Sequence, residues 1–119
     1  MSITIYQIPV TNYMVNEANA GRMTDSMDTK MKLMINAGEK FSPDMFEHYA
    51  PSVKVETDDL EEAFALTNLW NDEDRVEHLR PEVASSSVGD LFARDGNFFI
   101  VDSFGFKEVG DNESFAYAT

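Results

Sequence analysis

Leu91-Phe92-Ala93-Arg94 and Asn97-Phe98-Phe99-Ile100-Val101-Asp102 flank the dipeptide Asp95-Gly96. Few short patterns restrict a chain as much. A two-residue connection between antiparallel strands needs positive φ at both central residues, and Asp-Gly meets that need at little steric cost. The pattern predicts a β-hairpin and therefore an antiparallel sheet. Ser103-Phe104-Gly105 predicts a further turn or bulge, and Phe106–Val109 a last short strand. Gly110-Asp111-Asn112 opens a segment, 110–119, that reads as a frayed tail with Phe115 and Tyr117 as the side chains able to dock.

The rest of the chain supplies further strands and the helices that cover them. Ile3-Thr4-Ile5-Tyr6-Gln7-Ile8 alternates apolar and polar residues, the period of a half-buried strand, and Pro9 ends it. Tyr13–Ala20 predicts a short helix that stops at Gly21. Thr24 is an N-cap residue, and Asp25 and Asp28 follow where the helix dipole favours acids. Met27, Met31 and Met34 recur at helical spacing with Ile35 beside them, which predicts a core-facing stripe on a helix closed by Gly38 at C′. Ser42-Pro43 caps and starts a short helix over Asp44–Tyr49. Val53-Lys54-Val55-Glu56 alternates as a second strand. Asp58-Asp59-Leu60-Glu61 has a capping-box pattern, and Leu60, Ala63, Phe64 and Thr67 share one face of the helix it opens, about Asp59–Trp70. Asn71–Ser87 is polar and irregular, with one helical turn expected around Asp74–Leu79. A connection of that length is usually functional or mobile.

These elements define an α+β fold: a mostly antiparallel sheet of about four to five strands, with two main helices, the Met-rich one and the one at Leu60, packed on one face. The 119 residues fit a single domain spanning 1–119, with no repeat and no compositional boundary. Nine Phe and seven Met supply a core without a covalent staple. There is no cysteine, which excludes disulfides and thiolate metal sites and suits a reducing compartment. No apolar run approaches the roughly 20 residues that span a bilayer. Met1–Val10 lacks the basic and apolar stretches of a signal peptide. The expected location is the cytoplasm, with no membrane partner.

Charge is the most unusual property. Nine Lys and Arg stand against 22 Asp and Glu, a formal net charge of −13. Such a field repels nucleic-acid phosphates and attracts basic surfaces, so direct nucleic-acid binding is not expected. The acids crowd one stretch: Glu56, Asp58, Asp59, Glu61 and Glu62, then Asp72, Glu73, Asp74 and Glu77, with Arg75 the one basic residue inside it. A charge run of this kind is ordinarily a solvated outer face. It is also what a surface that imitates phosphates towards a basic partner would require. Glu61, Glu62, Asp72, Glu73, Asp74 and Glu77 are the candidate partner-binding residues.

Catalytic patterns are missing. Asn71, Asp72 and Asp74 are oxygen donors close in sequence, but no Gly or distal Glu completes a calcium loop. Ser85-Ser86-Ser87 is not set in a nucleophile elbow. His48 and His78 lie far apart in the chain, and no Walker or Gly-x-Gly-x-x-Gly loop occurs. The expectation is a protein that is not an enzyme and has no metal or cofactor.

Ser86-Ser87-Val88-Gly89-Asp90, Asp95-Gly96, Phe98-Phe99 and Val101-Asp102-Ser103-Phe104-Gly105-Phe106-Lys107-Glu108-Val109 together resemble the YodL-like domain, a family of bacteria, plasmids, conjugative elements and phages. Its recurring pattern is a Ser-x-Ser-Val-(Gly/Ser)-Asp segment, a hairpin with an aromatic second strand and an Asp-Ser-x-Gly-Phe ending. Ile5-Tyr6-Gln7 and Asp59-Leu60-Glu61 are similar to its opening strand and helix, whereas the Met-rich stretch has no counterpart. The resemblance carries over no catalytic residue. It implies mobile-element origin, and small acidic phage proteins are often inhibitors of host machinery. The expected role is therefore that of a phage or mobile-element accessory protein. It would bind a basic surface of a host protein, such as RNA polymerase, a restriction or CRISPR complex or another defence nuclease, and inhibit or redirect it. The alternative is a structural or virion-associated protein that forms oligomer contacts through its Met-rich face.

Overall fold

A computed structural model describes residues 2–116. The chain runs β1 (Ile3–Gln7), α1 (Asn12–Asn19), α2 (Asp25–Lys32), α3 (Ala37–Lys40), a 3₁₀ helix (Pro43–His48), β2 (Ala50–Val55), α4 (Leu60–Leu69), a 3₁₀ turn (Glu73–Arg75), β3 (Val76–His78), β4 (Leu91–Arg94), β5 (Asn97–Val101), β6 (Phe106–Asp111) and α5 (Asn112–Ala116). The strands form one sheet in the order β3-β2-β1-β4-β5-β6, with every neighbouring pair antiparallel. The class is α+β, as the sequence predicts, with six strands instead of four to five.

The hairpin forms where Asp95-Gly96 places it. Both residues have positive φ, 52° and 82°, and Arg94 faces Asn97 across the turn. Pro51 lies within β2 at a bulge, where the register against β1 slips between Ile5 and Tyr6. Lacking an N–H, proline is tolerated at such an irregularity.

The sheet is buried on both faces. Ile3, Ile5, Val53, Val55, Phe92 and Val101 pack with Leu60, Ala63 and Leu66 of α4. The opposite face gathers Leu91, Phe98 and Ile100 with Leu33, Ala37, Tyr49 and Phe115. The alternation of Leu91 with Phe92, and of Ile100 with Val101, sends neighbouring side chains to opposite cores. The helices therefore divide between the two faces, which corrects the expectation that they share one.

Five further expectations are corrected. The Met-rich helix ends at Lys32, and Asn36, at φ 56°, separates it from α3. Gly38 lies buried inside α3 and does not close α2. The Met stripe is not core: Met31, Met34 and Ile35 are exposed, and Leu33 and Ala37 take the buried positions. The helical turn expected around Asp74–Leu79 is only the 3₁₀ turn Glu73–Arg75, after which β3 pairs with β2. Three residues with exposed Glu77 and His78 are too short to display a strand period. The segment read as a frayed tail completes β6 and forms α5 as far as Ala116, with Phe115 stacked on Phe98 at 4.2 Å between centroids. Tyr117 lies outside the described residues.

Gly89 carries the tightest backbone requirement. Its φ is +97°, and a Cβ there would meet the Leu33 carbonyl oxygen at 3.1 Å and Leu33 Cβ at 3.2 Å. Gly89→Ala combines left-handed strain with a contact against backbone. It is expected to lower the unfolding free energy by about 2 kcal/mol or more, measured by urea denaturation. A loss under about 0.5 kcal/mol, the size of an ordinary surface substitution, would contradict this.

Candidate functional site

The acidic surface is built around the first turn of α4. Asp59 caps that helix, accepting hydrogen bonds from the backbone N–H of Glu61 at 2.9 Å and of Glu62 at 3.3 Å. Glu62 therefore occupies the position from which a capping-box glutamate reaches back to the cap residue's N–H. Here that N–H instead donates to Thr57 Oγ1 at 3.1 Å, and Glu62 accepts from Arg75 Nη2 at 2.5 Å. The Thr57 hydroxyl and the Arg75 guanidinium hold the Glu62 carboxyl below the ordinary carboxylate range. Arg75 also donates from Nε and Nη2 to the Glu56 carbonyl oxygen, at 3.3 and 2.9 Å. One arginine thus ties the 3₁₀ turn to the end of β2 and the start of α4.

The candidate residues fall into three places. Glu62 shares one shallow cleft with Lys54, Glu56, Asp58 and Arg75, while Asp74 and Glu77 line an adjoining one with Lys54, Glu56 and Arg75. Asp72 and Glu73 belong to the neighbouring turn, Glu73 exposed and Asp72 half-buried, and Asp72 acts on Arg75 through its charge. Glu61 turns away and lines a separate groove with Phe64, Val101 and Phe106. Sequence reasoning missed Lys54, which lies opposite Glu77 in the β2–β3 register. Without the strand β3, nothing in the sequence marks that pairing. The two clefts together hold five acids, Glu56, Asp58, Glu62, Asp74 and Glu77, against two cations, so the surface remains net negative.

A second polar constellation is buried. Gln7 Nε2 donates to the Ala84 carbonyl oxygen at 2.9 Å and to Asp90 Oδ2 at 3.0 Å, and the same carboxylate oxygen accepts from the Ser87 N–H at 3.0 Å. Thr67 Oγ1 and Ser86 Oγ are 2.5 Å apart and Tyr49 Oη donates to the Gly89 carbonyl oxygen at 2.5 Å, while at the exposed edge Trp70 Nε1 donates to Ser85 Oγ at 3.1 Å. The Ser85–Asp90 segment is thus a clamp that fastens the long connection to β1, α4 and the 3₁₀ helix. Asp90 bonds a local N–H as the turn chemistry of its motif suggests. At the later turn Asp102 Oδ1 accepts from the Ser103 N–H at 2.8 Å.

Burial pushes the Asp90 carboxyl up from 3.8 to about 6, against the hydrogen bonds from Gln7 and Ser87 and the charge of Lys30, which favour the anion. The Tyr49 phenol is likewise raised, by burial first and by Asp90 second. Among the described residues, no three His, Asp or Glu side chains converge as metal ligands, and no helix is long and apolar enough to cross a membrane. Compared with protein-family models, curated proteins and solved structures, the chain matches none.

The folded state holds the Asp90 proton more tightly than the unfolded chain does. Stability from this group is therefore complete below about pH 4, falls as pH rises towards about 6, and stays reduced above. Asp90→Asn keeps an oxygen acceptor and removes the titration. Relative to the wild type, this variant is expected to gain up to about 3 kcal/mol between pH 4 and 6 in denaturation series. A difference between the two proteins that does not change with pH would contradict the assignment.

Proposed function

We propose that the protein is a binding module, encoded by a phage or mobile element, whose acidic surface engages a basic surface of a host protein in the cytoplasm and inhibits or redirects it. The observation that carries this reading is the gathering of acids from the β2–α4 junction, the 3₁₀ turn and β3 around a single organising arginine. A negative surface of this kind steers basic partners and raises their association rate. RNA polymerase, restriction and CRISPR complexes and other nucleic-acid enzymes present such cationic channels. The phage assignment rests on the resemblance of the C-terminal third to the YodL-like domain.

Affinity capture of host proteins at low and high salt, by wild type and by the Glu61→Lys, Glu62→Lys, Asp72→Lys, Asp74→Lys variant, tests the reading. The wild type is expected to retain a discrete partner that is released as salt rises past the physiological range, where the Debye length falls below about 8 Å. The reversed variant, with folding checked by circular dichroism, is expected to lose about a hundredfold or more in affinity. Undiminished, salt-insensitive capture by that variant would overturn the proposal.

A second reading is favoured by one observation. Met31, Met34 and Ile35 are exposed, not buried, which leaves the Met-rich face open for contacts between copies of a structural or virion-associated protein. Light scattering would then find a mass that grows with concentration. A monomer at every concentration argues against it.

A further inference from the structure

Phe104 is 98% exposed, the most open of the large apolar side chains among the described residues. It is not on a loose loop. The Asp102 N–H donates to the Gly105 carbonyl oxygen at 2.8 Å, Asp102 Oδ1 accepts from the Ser103 N–H, and Gly105 supplies the positive φ of 78° that closes the turn. Ser103 and Gly105, on either side of Phe104, line a groove of about 320 Å³ between α4 and the β5–β6 turn. Its apolar walls are Phe64, Val88, Val101 and Phe106. Phe64 and Phe106 meet edge to face, 6.4 Å between centroids, and Phe106 rests on the fully buried Phe92 at 5.2 Å. The walls are therefore anchored in the core.

Glu61 brings a carboxylate to the rim of the groove, whereas Asp102 lines it with its carboxylate turned to the other side of the sheet, against Gly38 and Lys107, and among the described residues that line the groove there is no cation. Glu61 lies two residues after the Asp59 cap and precedes Glu62, so the groove and the acidic surface share the first turn of α4. We infer that the groove is the apolar anchor point of that surface, and that it receives one aliphatic or aromatic side chain from a basic peptide segment, with Phe104 closing over it. The inference rests on the acidic-surface reading and adds what the acids cannot supply. Exposed charges steer and select, whereas a desolvated apolar contact carries most of an interface's energy. Charge complementarity selects the occupant. A second copy brings the same net charge of −13 and the same Glu61 carboxylate, whereas a segment with Lys or Arg beside one apolar residue satisfies both the apolar walls and the acidic rim.

The test uses the intact protein and two synthetic lysine-rich peptides, one with a central leucine and one with alanine in its place, titrated at low salt and followed by ¹H–¹⁵N NMR. The leucine peptide is expected to bind about tenfold or more tighter, as burial of the larger side chain implies. Its additional shifts should centre on Val88, Val101 and Ser103–Phe106. Phe104→Ala, at a fully exposed position, is expected to cut that advantage to under about threefold and to leave the alanine peptide's affinity unchanged. Equal affinity for the two peptides overturns the anchor while leaving the acidic surface standing. Failure of both to bind removes the acidic-surface reading and the anchor with it. Groove shifts that grow with protein concentration in the absence of peptide would assign the groove to a second copy and also overturn the inference.

Discussion

The fold depends on the double pairing of its first strand. β1 lies in the middle of the sheet, with Thr4 opposite Lys54 on one side and Ala93 on the other. Its alternate residues Ile3 and Ile5 are fully buried beneath α4. Neither ladder can form until segments far along the chain arrive, so the sheet closes late and at the entropic cost of long loops. Once closed, it presents two apolar faces, and every helix that contacts the core does so through that surface. The direction in which α4 leaves the sheet, and with it the position of the acids on its first turn, follows from this packing.

The connection from β3 to β4 has no regular structure, yet it is held along its length. The Leu79 N–H donates to the Ser52 carbonyl oxygen, Arg80 Nε to Ser52 Oγ, Gln7 to Ala84, and Trp70 to Ser85. Burial of the Asp90 carboxylate in this clamp is costly, and its hydrogen bonds to Gln7 and Ser87 offset part of that cost. The acidic surface is ordered from the other end. Arg75 cancels one carboxylate, but by joining Glu56 and Glu62 it positions the remaining ones. An exposed pair of this kind contributes little to stability, so its main effect is to fix geometry. Self-repulsion among the acids that remain is a standing cost of keeping the surface negative.

Much of the sheet was legible in the sequence because the signals were local. Asp95-Gly96 dictated its turn by its φ requirement, Ile3–Gln7 its strand by alternation, and the Asp58–Glu61 capping pattern its helix, with the cap falling one residue later, at Asp59. What escaped had no local signal. β3 has only three residues and takes its form from β2. The Met stripe had helical spacing, but helical spacing cannot say which face meets the core, and Leu33 and Ala37 took that place through tertiary packing. α5 depends on Phe115 finding Phe41, Phe46 and Phe98, contacts that no window of sequence contains. Of the candidate site, the residue types and their crowding were readable. Their division between two clefts and a groove was not, because Glu61 and Glu62 are neighbours in sequence and face different ways on the helix.

Hydrogen–deuterium exchange of the protein, free and bound to a captured partner, tests the central claim most directly. The account predicts slowed exchange across 56–62 and 72–77, the two segments that carry the acids and Arg75, with α1 and α2 unchanged. Protection confined to α1, α2 and the exposed Met34-Ile35 pair, with the acidic segments exchanging as in the free protein, would contradict it.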